Sequence, residues 1–182
     1  MDISELKAEL ERLHDASFGW ALNCCGYNHA DAEEVLQTVY LKVLQGKARY
    51  RGEAKLQTWL FAVIRKTAIT ERRKQLLRTL SLRGSKPKTE PGDFSLQLER
   101  SELQRRFQQV LEALPVRQRE TLHLVFYENL SLREAAEVMR ISIGSARRHY
   151  ERGKKRLREA LDQKESHYEI GWRRKENSGA VL

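Results

Sequence analysis

Cysteine, strand-like alternation, clustered metal ligands and long apolar runs are all scarce in this 182-residue chain. The two cysteines are neighbours, Cys24 and Cys25. That excludes a disulfide-stapled scaffold and leads us to expect a reducing, cytoplasmic setting. The longest unbroken apolar run, Trp59 to Ile64, falls far short of the ~20 residues of a membrane span, so no membrane insertion is expected. The opening Met-Asp-Ile-Ser-Glu has neither a basic n-region nor an apolar h-region, so no secretory signal is expected either. Histidines at 14, 29, 123, 149 and 167 are scattered. An enzyme needs converging acids, bases or metal ligands; with none in view, the chain is expected not to be an enzyme and to need no cofactor. Cys25 and His29 lie one helical turn apart, but a structural zinc site generally needs four ligands. No metal is therefore expected, and the cysteines read as buried structural residues.

What the chain has in quantity is charge. Charged residues make up 32%, mean hydropathy is −0.67, and 34 Lys+Arg against 25 Asp+Glu leave +9. The length allows one ordinary domain or two small ones. The charge is not spread evenly. Residues 65–88 hold nine Lys/Arg and one acid, Glu71. Residues 140–158 hold eight and one, Glu151. The remainder is net acidic. Two basic segments on an otherwise acidic chain suggest polyanion contact at two places; two solvated helix faces would give the same pattern.

Helical periodicity runs through nearly the whole chain. Leu6, Leu10, Leu13, Ala21 and Cys24 space a first amphipathic helix after Ser4, its expected N-cap. Asn28 and His29 interrupt it, and Asp31 with Glu34 looks like the capping pair of the next helix. Val35, Leu36, Val39, Tyr40, Val43 and Leu44 stripe that helix, and Gly46 ends it. A third carries Leu56, Trp59, Leu60, Val63, Ile64 and Ala68, and turns basic at Arg72-Arg73-Lys74. Residues 81–101 then break the pattern with Pro87, Pro91, Gly84, Gly92 and several serines, as a linker does. Periodicity resumes at Leu103, Phe107, Val110, Leu111 and Leu114. Pro115 starts a helix with Leu122, Val125 and Phe126 inward, and Asn129 ends it.

The most informative stretch is 131–161. Ser131 caps a helix with Glu134 as its box partner. Ala135, Ala136 and Met139 face inward, and the alanines allow close helix approach. A short break, Arg140-Ile141-Ser142, follows. Gly144 and Ser145 open another helix with Ala146, Tyr150, Leu157 and Leu161 inward and Arg147, Arg148, Glu151, Arg152 and Lys155 outward. A short helix, a tight turn and a basic second helix describe a helix-turn-helix. Arginine suits the second helix because its planar fork bonds two acceptors of guanine.

These residues carry a resemblance. Asp31-Ala-Glu-Glu-Val-Leu-Gln-Thr-Val-Tyr40, then Tyr50-Arg-Gly-Glu, Leu56-Gln-Thr-Trp-Leu-Phe61 and Arg65, resemble region 2 of bacterial RNA polymerase sigma factors of the sigma-70 family, extracytoplasmic-function (ECF) group. Leu111-Glu-Ala-Leu-Pro-Val-Arg-Gln-Arg-Glu120 and Leu130-Ser-Leu-Arg-Glu-Ala-Ala-Glu-Val-Met139 resemble region 4. The resemblance covers about residues 1–162 and implies an all-α protein of two small helical domains. Residues 1–80 would be region 2, 81–102 a flexible linker, 103–165 region 4 with the helix-turn-helix, and 166–182 a tail. It implies a transcription initiation factor that binds core RNA polymerase and directs promoter recognition and opening. Its partners would be the beta-prime clamp helices, the beta flap, promoter DNA and, in many members, an anti-sigma factor or other protein regulator.

Carried over residue by residue, the polymerase face would be Asp31, Glu34, Gln37, Thr38 and Leu41. The minus-ten element, read as melted strand, would meet Tyr50, Arg51, Lys55, Trp59, Arg65, Lys66, Arg72 and Arg73. Trp59 would be either a stacking platform for a flipped base or part of the apolar stripe with Leu60, Val63 and Ile64. The minus-thirty-five readers would be Arg147, Arg148, Glu151, Arg152 and Lys155, with Ser145 and His149 on phosphate. Three positions depart from the family pattern. Thr38 replaces a usual acid and is a candidate phosphosite, because a phosphate would restore negative charge. Lys66 replaces a common Asn, and as a point charge it holds phosphate better than it reads bases. Arg140 replaces a usual turn glycine, so either it takes a left-handed backbone or the turn differs. A stand-alone duplex-DNA repressor would explain 131–161 but leave 1–80 without a task. The tail's Tyr168, Ile170 and Trp172 would either dock on a partner or belong to a frayed end.

Overall fold

The computed structural model describes residues 3–81 and 109–176, with side chains described over 4–80 and 109–160. Among the described residues every regular element is helical. Most of the expected linker, with Leu103 and Phe107, lies outside them, as do the side chains of Leu161 and the tail.

The first amphipathic stretch folds as two helices, α1 (Ile3–Arg12) and α2 (His14–Cys24), broken only at Leu13. Ser4 sits inside α1 and does not cap it. Helix α3 (His29–Leu44) starts three residues earlier than a cap at Asp31 would place it. Asn28 is the N-cap, and its side-chain oxygen accepts from the Asp31 N–H at 3.0 Å. The physical reason is local: an Asn in extended backbone accepts from an orphan N–H of a first turn that begins before Asp31, so the helix starts sooner. Gly46, at φ +69°, ends the helix as expected. Helix α4 (Leu56–Ser81) is the longest of this part with described side chains. Trp20, Ala21, Ala32, Val35, Val39, Leu60, Phe61 and Ile64 are all buried where α2, α3 and α4 meet. The Trp20 indole N–H donates to the Phe61 carbonyl at 3.0 Å, so its one polar atom is satisfied.

In the second part, helical residues 109–113 lead to Pro115, which is the N-cap of α5 (Val116–Leu122). The chain continues as a short π-helix, His123–Tyr127, and ends at Asn129, φ +53°. The wider π turn rotates Phe126 outward, so it is exposed rather than inward and stacks on Tyr150. Ser131 and Glu134 form the capping box of α6 (Leu132–Met139). Arg140 adopts the left-handed backbone, φ 53°, ψ 51°. Helix α7 (Ile143–Glu176) begins just before Gly144, and Ser142 Oγ accepts from the Ser145 N–H at 3.2 Å. Its backbone is helical through Glu176, ten residues past Ser166.

The two parts share one core. Leu124, Leu130, Ala135, Val138 and Met139 pack into the same apolar cluster as Trp20, Leu60 and Phe61. Leu111, Leu114 and Leu122 form a smaller cluster with Tyr150 and Leu157. The larger cluster thus spans both parts, where α4 packs along α6, and the smaller one lies within the second part.

Candidate nucleic-acid interface

Helices α6 and α7 build the outer basic face. Ala135, Ala136 and Ala146 are buried, and their small side chains let the two helices approach. The burial of this one face turns Arg147, Arg148, Glu151, Arg152 and Lys155 to solvent. Ser145 is tied to the helix start by Ser142 Oγ and accepts from Arg148 at 3.3 Å. His149 is half-buried; burial, then the charges of Arg117, Arg148 and Arg152, push its pKa down. A neutral imidazole remains at neutral pH, able to donate one hydrogen bond to a phosphate. Lys155 is within 3.7 Å of Glu159, both exposed, a weak pair that a phosphate would readily displace.

The second set of basic residues is in a different state. Arg65 is buried on α4, and its guanidinium forks onto Glu120 of α5. Nε lies 3.0 Å from Oε1 and Nη2 lies 3.2 Å from Oε2. Its Nη1 donates to the Met139 carbonyl at 3.3 Å. Lys55 is paired with Glu134 of α6 at 2.8 Å. Glu134's carboxyl is held at about 2, first by the hydrogen bond from Lys55 and then by those from Ser131. Tyr50 and Trp59 contact each other, ring centroids 5.4 Å apart, and the Tyr50 hydroxyl donates to the Ala54 carbonyl at 2.6 Å. They line a cleft of about 300 Å³ with Arg51, Thr58, Glu137 and Arg140. Lys66 and Arg73 are exposed on α4. Arg72 belongs elsewhere: with Asp31, Glu34, Cys24, Cys25, Gln75 and Leu76 it lines a cleft of about 420 Å³ between α3 and α4.

On α3, Glu34, Gln37 and Leu41 are exposed, and Asp31 and Thr38 half-buried, along one side. Gln75 donates to Asp31 at 3.3 Å. No group of three or more metal-ligating side chains occurs among the described residues. Cys24 and Cys25 are half-buried rather than buried, because they line the cleft between α3 and α4; their surroundings push the Cys24 thiol well up and the Cys25 thiol up to about 12, which disfavours the reactive thiolate. No described helix is long and apolar enough to cross a membrane.

An acid-faced helix, a basic long helix with an aromatic pair, and a helix-turn-helix thus follow in order along one chain. The family model described as Sigma-70 region 2 matches residues 10–77, and that described as Sigma-70, region 4 matches residues 104–157. The chain belongs to the sigma-70 family. Within that family it is a factor of the ECF group, and it is a transcription initiation factor that recognises promoters by binding DNA. It is similar to the ECF RNA polymerase sigma factor SigX of Bacillus subtilis, 28% identical over 139 residues, which cover 71% of this chain and 70% of that one. It is similar also to the RNA polymerase sigma-H factor of Pseudomonas aeruginosa, 25% identical over 149 residues, covering 72% and 73%. Its fold matches the sigma factor RpoE solved in complex with the anti-sigma factor NepR from Bartonella quintana. There the TM-score is 0.68 at 23% identity, over 87% of this chain and 97% of that one. CnrH, solved with the cytosolic domain of CnrY, matches with a TM-score of 0.56 at 18% identity, over 86% and 87%.

Two residues that matter to this sigma factor's architecture escape sequence reading. Glu120 stands at the end of a region 4 motif with nothing local to mark it as the partner of Arg65, 55 positions away. Gly153 is buried within the basic run of α7, and a Cβ there would meet Leu122 Cδ1 at 3.0 Å and Gln118 Cβ at 3.2 Å. The signal was present in that case: a glycine inside a helix usually marks a close approach.

Proposed function

We propose that this sigma factor reads its promoter with two faces and meets polymerase with a third. The exposed row Arg147, Arg148, Glu151, Arg152 and Lys155 supports the reading best, since only outward side chains on a helix-turn-helix can reach base edges. That row would read the minus-thirty-five element as duplex, with Ser145 and His149 on phosphate. Tyr50, Arg51, Lys55, Trp59, Arg65, Lys66, Arg72 and Arg73 would hold the melted minus-ten strand. Asp31, Glu34, Gln37, Thr38 and Leu41 would meet the beta-prime clamp helices, and the second unit would touch the beta flap. Residues 1–80 and 103–165 would be the two working units and 81–102 the connection between them. The protein would act in the cytoplasm, by binding rather than by catalysing a reaction. A protein regulator, of the anti-sigma kind found with the solved RpoE relative, would cover the polymerase face, where Leu41 is half exposed at 51%.

Run-off transcription with core polymerase on a genomic promoter library tests the reading. The expected result is a defined set of start sites that depends on both proteins. A footprint on duplex DNA without polymerase, and no stimulated transcription, would instead identify a stand-alone repressor.

A further inference from the structure

Arg140 holds a backbone conformation that costs an arginine and would cost a glycine nothing. Its guanidinium makes no hydrogen bond or ion pair with any described residue, so nothing inside the chain offsets that strain. What Arg140 does is wall the cleft of about 300 Å³ beside Tyr50 and Trp59. The rest of the lining suits a planar anion. The Tyr50 hydroxyl is fixed on the Ala54 carbonyl at 2.6 Å and its ring meets that of Trp59 at 5.4 Å, so an aromatic wall is already in place. Arg51 is exposed beside Gly52, whose φ of +76° turns the loop, and its guanidinium is also unpaired among the described residues. Glu53 and Glu137 add two carboxylates to the wall. Thr58, also in the lining, is 2% exposed, and its hydroxyl oxygen has no hydrogen-bond partner among the described residues. Buried polar groups are as a rule satisfied, so this hydroxyl is a contact point open to a ligand.

We propose that this cleft binds a free nucleotide carrying two or more phosphates, its base against the Tyr50–Trp59 wall and its phosphates on Arg51 and Arg140. Aromatic side chains take any base by its π-face. Arginine's planar fork takes phosphate oxygens in pairs. Glu53 and Glu137 can accept the N–H groups of a base edge. The size favours one nucleotide over a run of them, since about 300 Å³ is the lower end of the range for small-molecule sites. The site differs from the strand-binding reading of Tyr50, Arg51 and Trp59 in one respect. Arg140 comes from the turn of the helix-turn-helix, which that reading does not use, so the proposal does not rest on the minus-ten assignment.

Isothermal titration calorimetry of the full chain without polymerase tests the site. The probes are guanosine diphosphate and adenosine diphosphate, with guanosine and pyrophosphate as the separate halves. A diphosphate is expected to bind about tenfold or more tightly than either half, because base and phosphates are held at once. Arg140→Gly suits the left-handed turn, so it folds, and its thermal midpoint should not fall below that of wild type. It is expected to weaken diphosphate binding about tenfold, as loss of one charge-assisted contact does. Arg133→Gln removes the same charge from an exposed position of α6 outside the cleft and should leave binding unchanged. Binding of neither diphosphate overturns the proposal. An equal loss in both variants overturns it too, by showing only the general attraction of anions to a basic chain. Tetrathymidylate separates the two sources of this chemistry. Weaker binding than the diphosphates supports a free nucleotide, while tighter binding with the same dependence on Arg140 overturns it and gives the cleft to a strand. Run-off transcription tests the minus-ten assignment separately, so the two readings fail by different results.

Discussion

The two basic faces of this sigma factor meet opposite circumstances. On α7, Arg147, Arg148 and Arg152 extend into solvent from a helix whose other side is buried. On α4, an arginine of the same chemistry is sunk into a joint core and neutralised by Glu120. The sequence presents both as runs of lysine and arginine with one acid each. The difference teaches that charge in a segment shows where a polyanion could be held, and that availability is decided by what packs against it. A buried cation is in fact worth more to the fold than to the ligand until something moves it.

The sharpest way to break this contrast is to truncate one arginine of each kind. Arg65→Ala leaves the Glu120 carboxylate buried without its partner, and removing one member of a buried pair costs about 3–5 kcal/mol. Urea unfolding of the full chain should show a clearly lowered midpoint. Arg152→Ala removes an exposed side chain and should leave the midpoint within about 0.5 kcal/mol of wild type. Equal losses in the two variants would erase the distinction between the faces.

Function should reverse the ranking. Arg147→Ala and Arg152→Ala should each lose about 1–3 kcal/mol of promoter discrimination, read as a drop in run-off transcription from the cognate promoter, with core polymerase binding retained. The two sides of α7 sharpen the comparison further. Gly153→Ala drives a Cβ to 3.0 Å from Leu122 Cδ1 and should cost about 1–3 kcal/mol of stability. Gly144→Ala, with open space around its Cβ, should gain up to about 1 kcal/mol by stiffening the unfolded chain. Thermal unfolding of the two variants checks both signs.

The contrast also marks what sequence reasoning could and could not reach. Caps and turns are local, so Ser131 with Glu134, Pro115 and Gly46 were legible from their neighbours, while the left-handed Arg140 followed only from the resemblance, which puts a turn glycine there. The apolar stripes of α3 and α4 were legible for the same reason, a helix repeating its buried face every turn, except at Leu44, which lies at the end of α3 and is exposed. Where two residues compete for one role, neighbours do not decide. Asn28 took the cap expected of Asp31. A π turn, which no periodicity announces, brought Phe126 out. Above all, the Arg65–Glu120 pair joins positions 55 apart across a linker, where helical spacing carries no information.

Acid tests the second cation–acid pair between the units. Glu134 is held at about 2, below the ~4.3 of an unfolded carboxyl. A carboxyl depressed in the folded state contributes its stability above the unfolded value and loses it as pH falls toward the folded one. The stability difference between wild type and Glu134→Gln should therefore be constant above about pH 5 and shrink toward pH 2. A difference that holds across that range would mean that Lys55 and Ser131 do not depress this group.

The smallest effect concerns the third face, which is neither buried like Arg65 nor basic. Thr38 is half-buried on α3, on the side shared by Asp31, Glu34, Gln37 and Leu41. The resemblance to the family implies a carboxylate at this position, and a hydroxyl adds no charge to a surface proposed to meet basic residues of the polymerase clamp. A phosphate would add about −1.5 to −2 charge and three strong acceptors. Exposed ion pairs contribute about 0.2–1 kcal/mol each, so Thr38→Glu should tighten core-polymerase binding by no more than about fivefold over wild type, with Thr38→Ala unchanged. The gain should shrink as salt rises, since a pair near the surface is screened within a Debye length of about 8 Å at physiological ionic strength. Affinity titrations of the three proteins at two salt concentrations settle the matter. Equal affinities throughout would assign the acidic contact to Asp31 and Glu34 alone and remove Thr38 as a point of control.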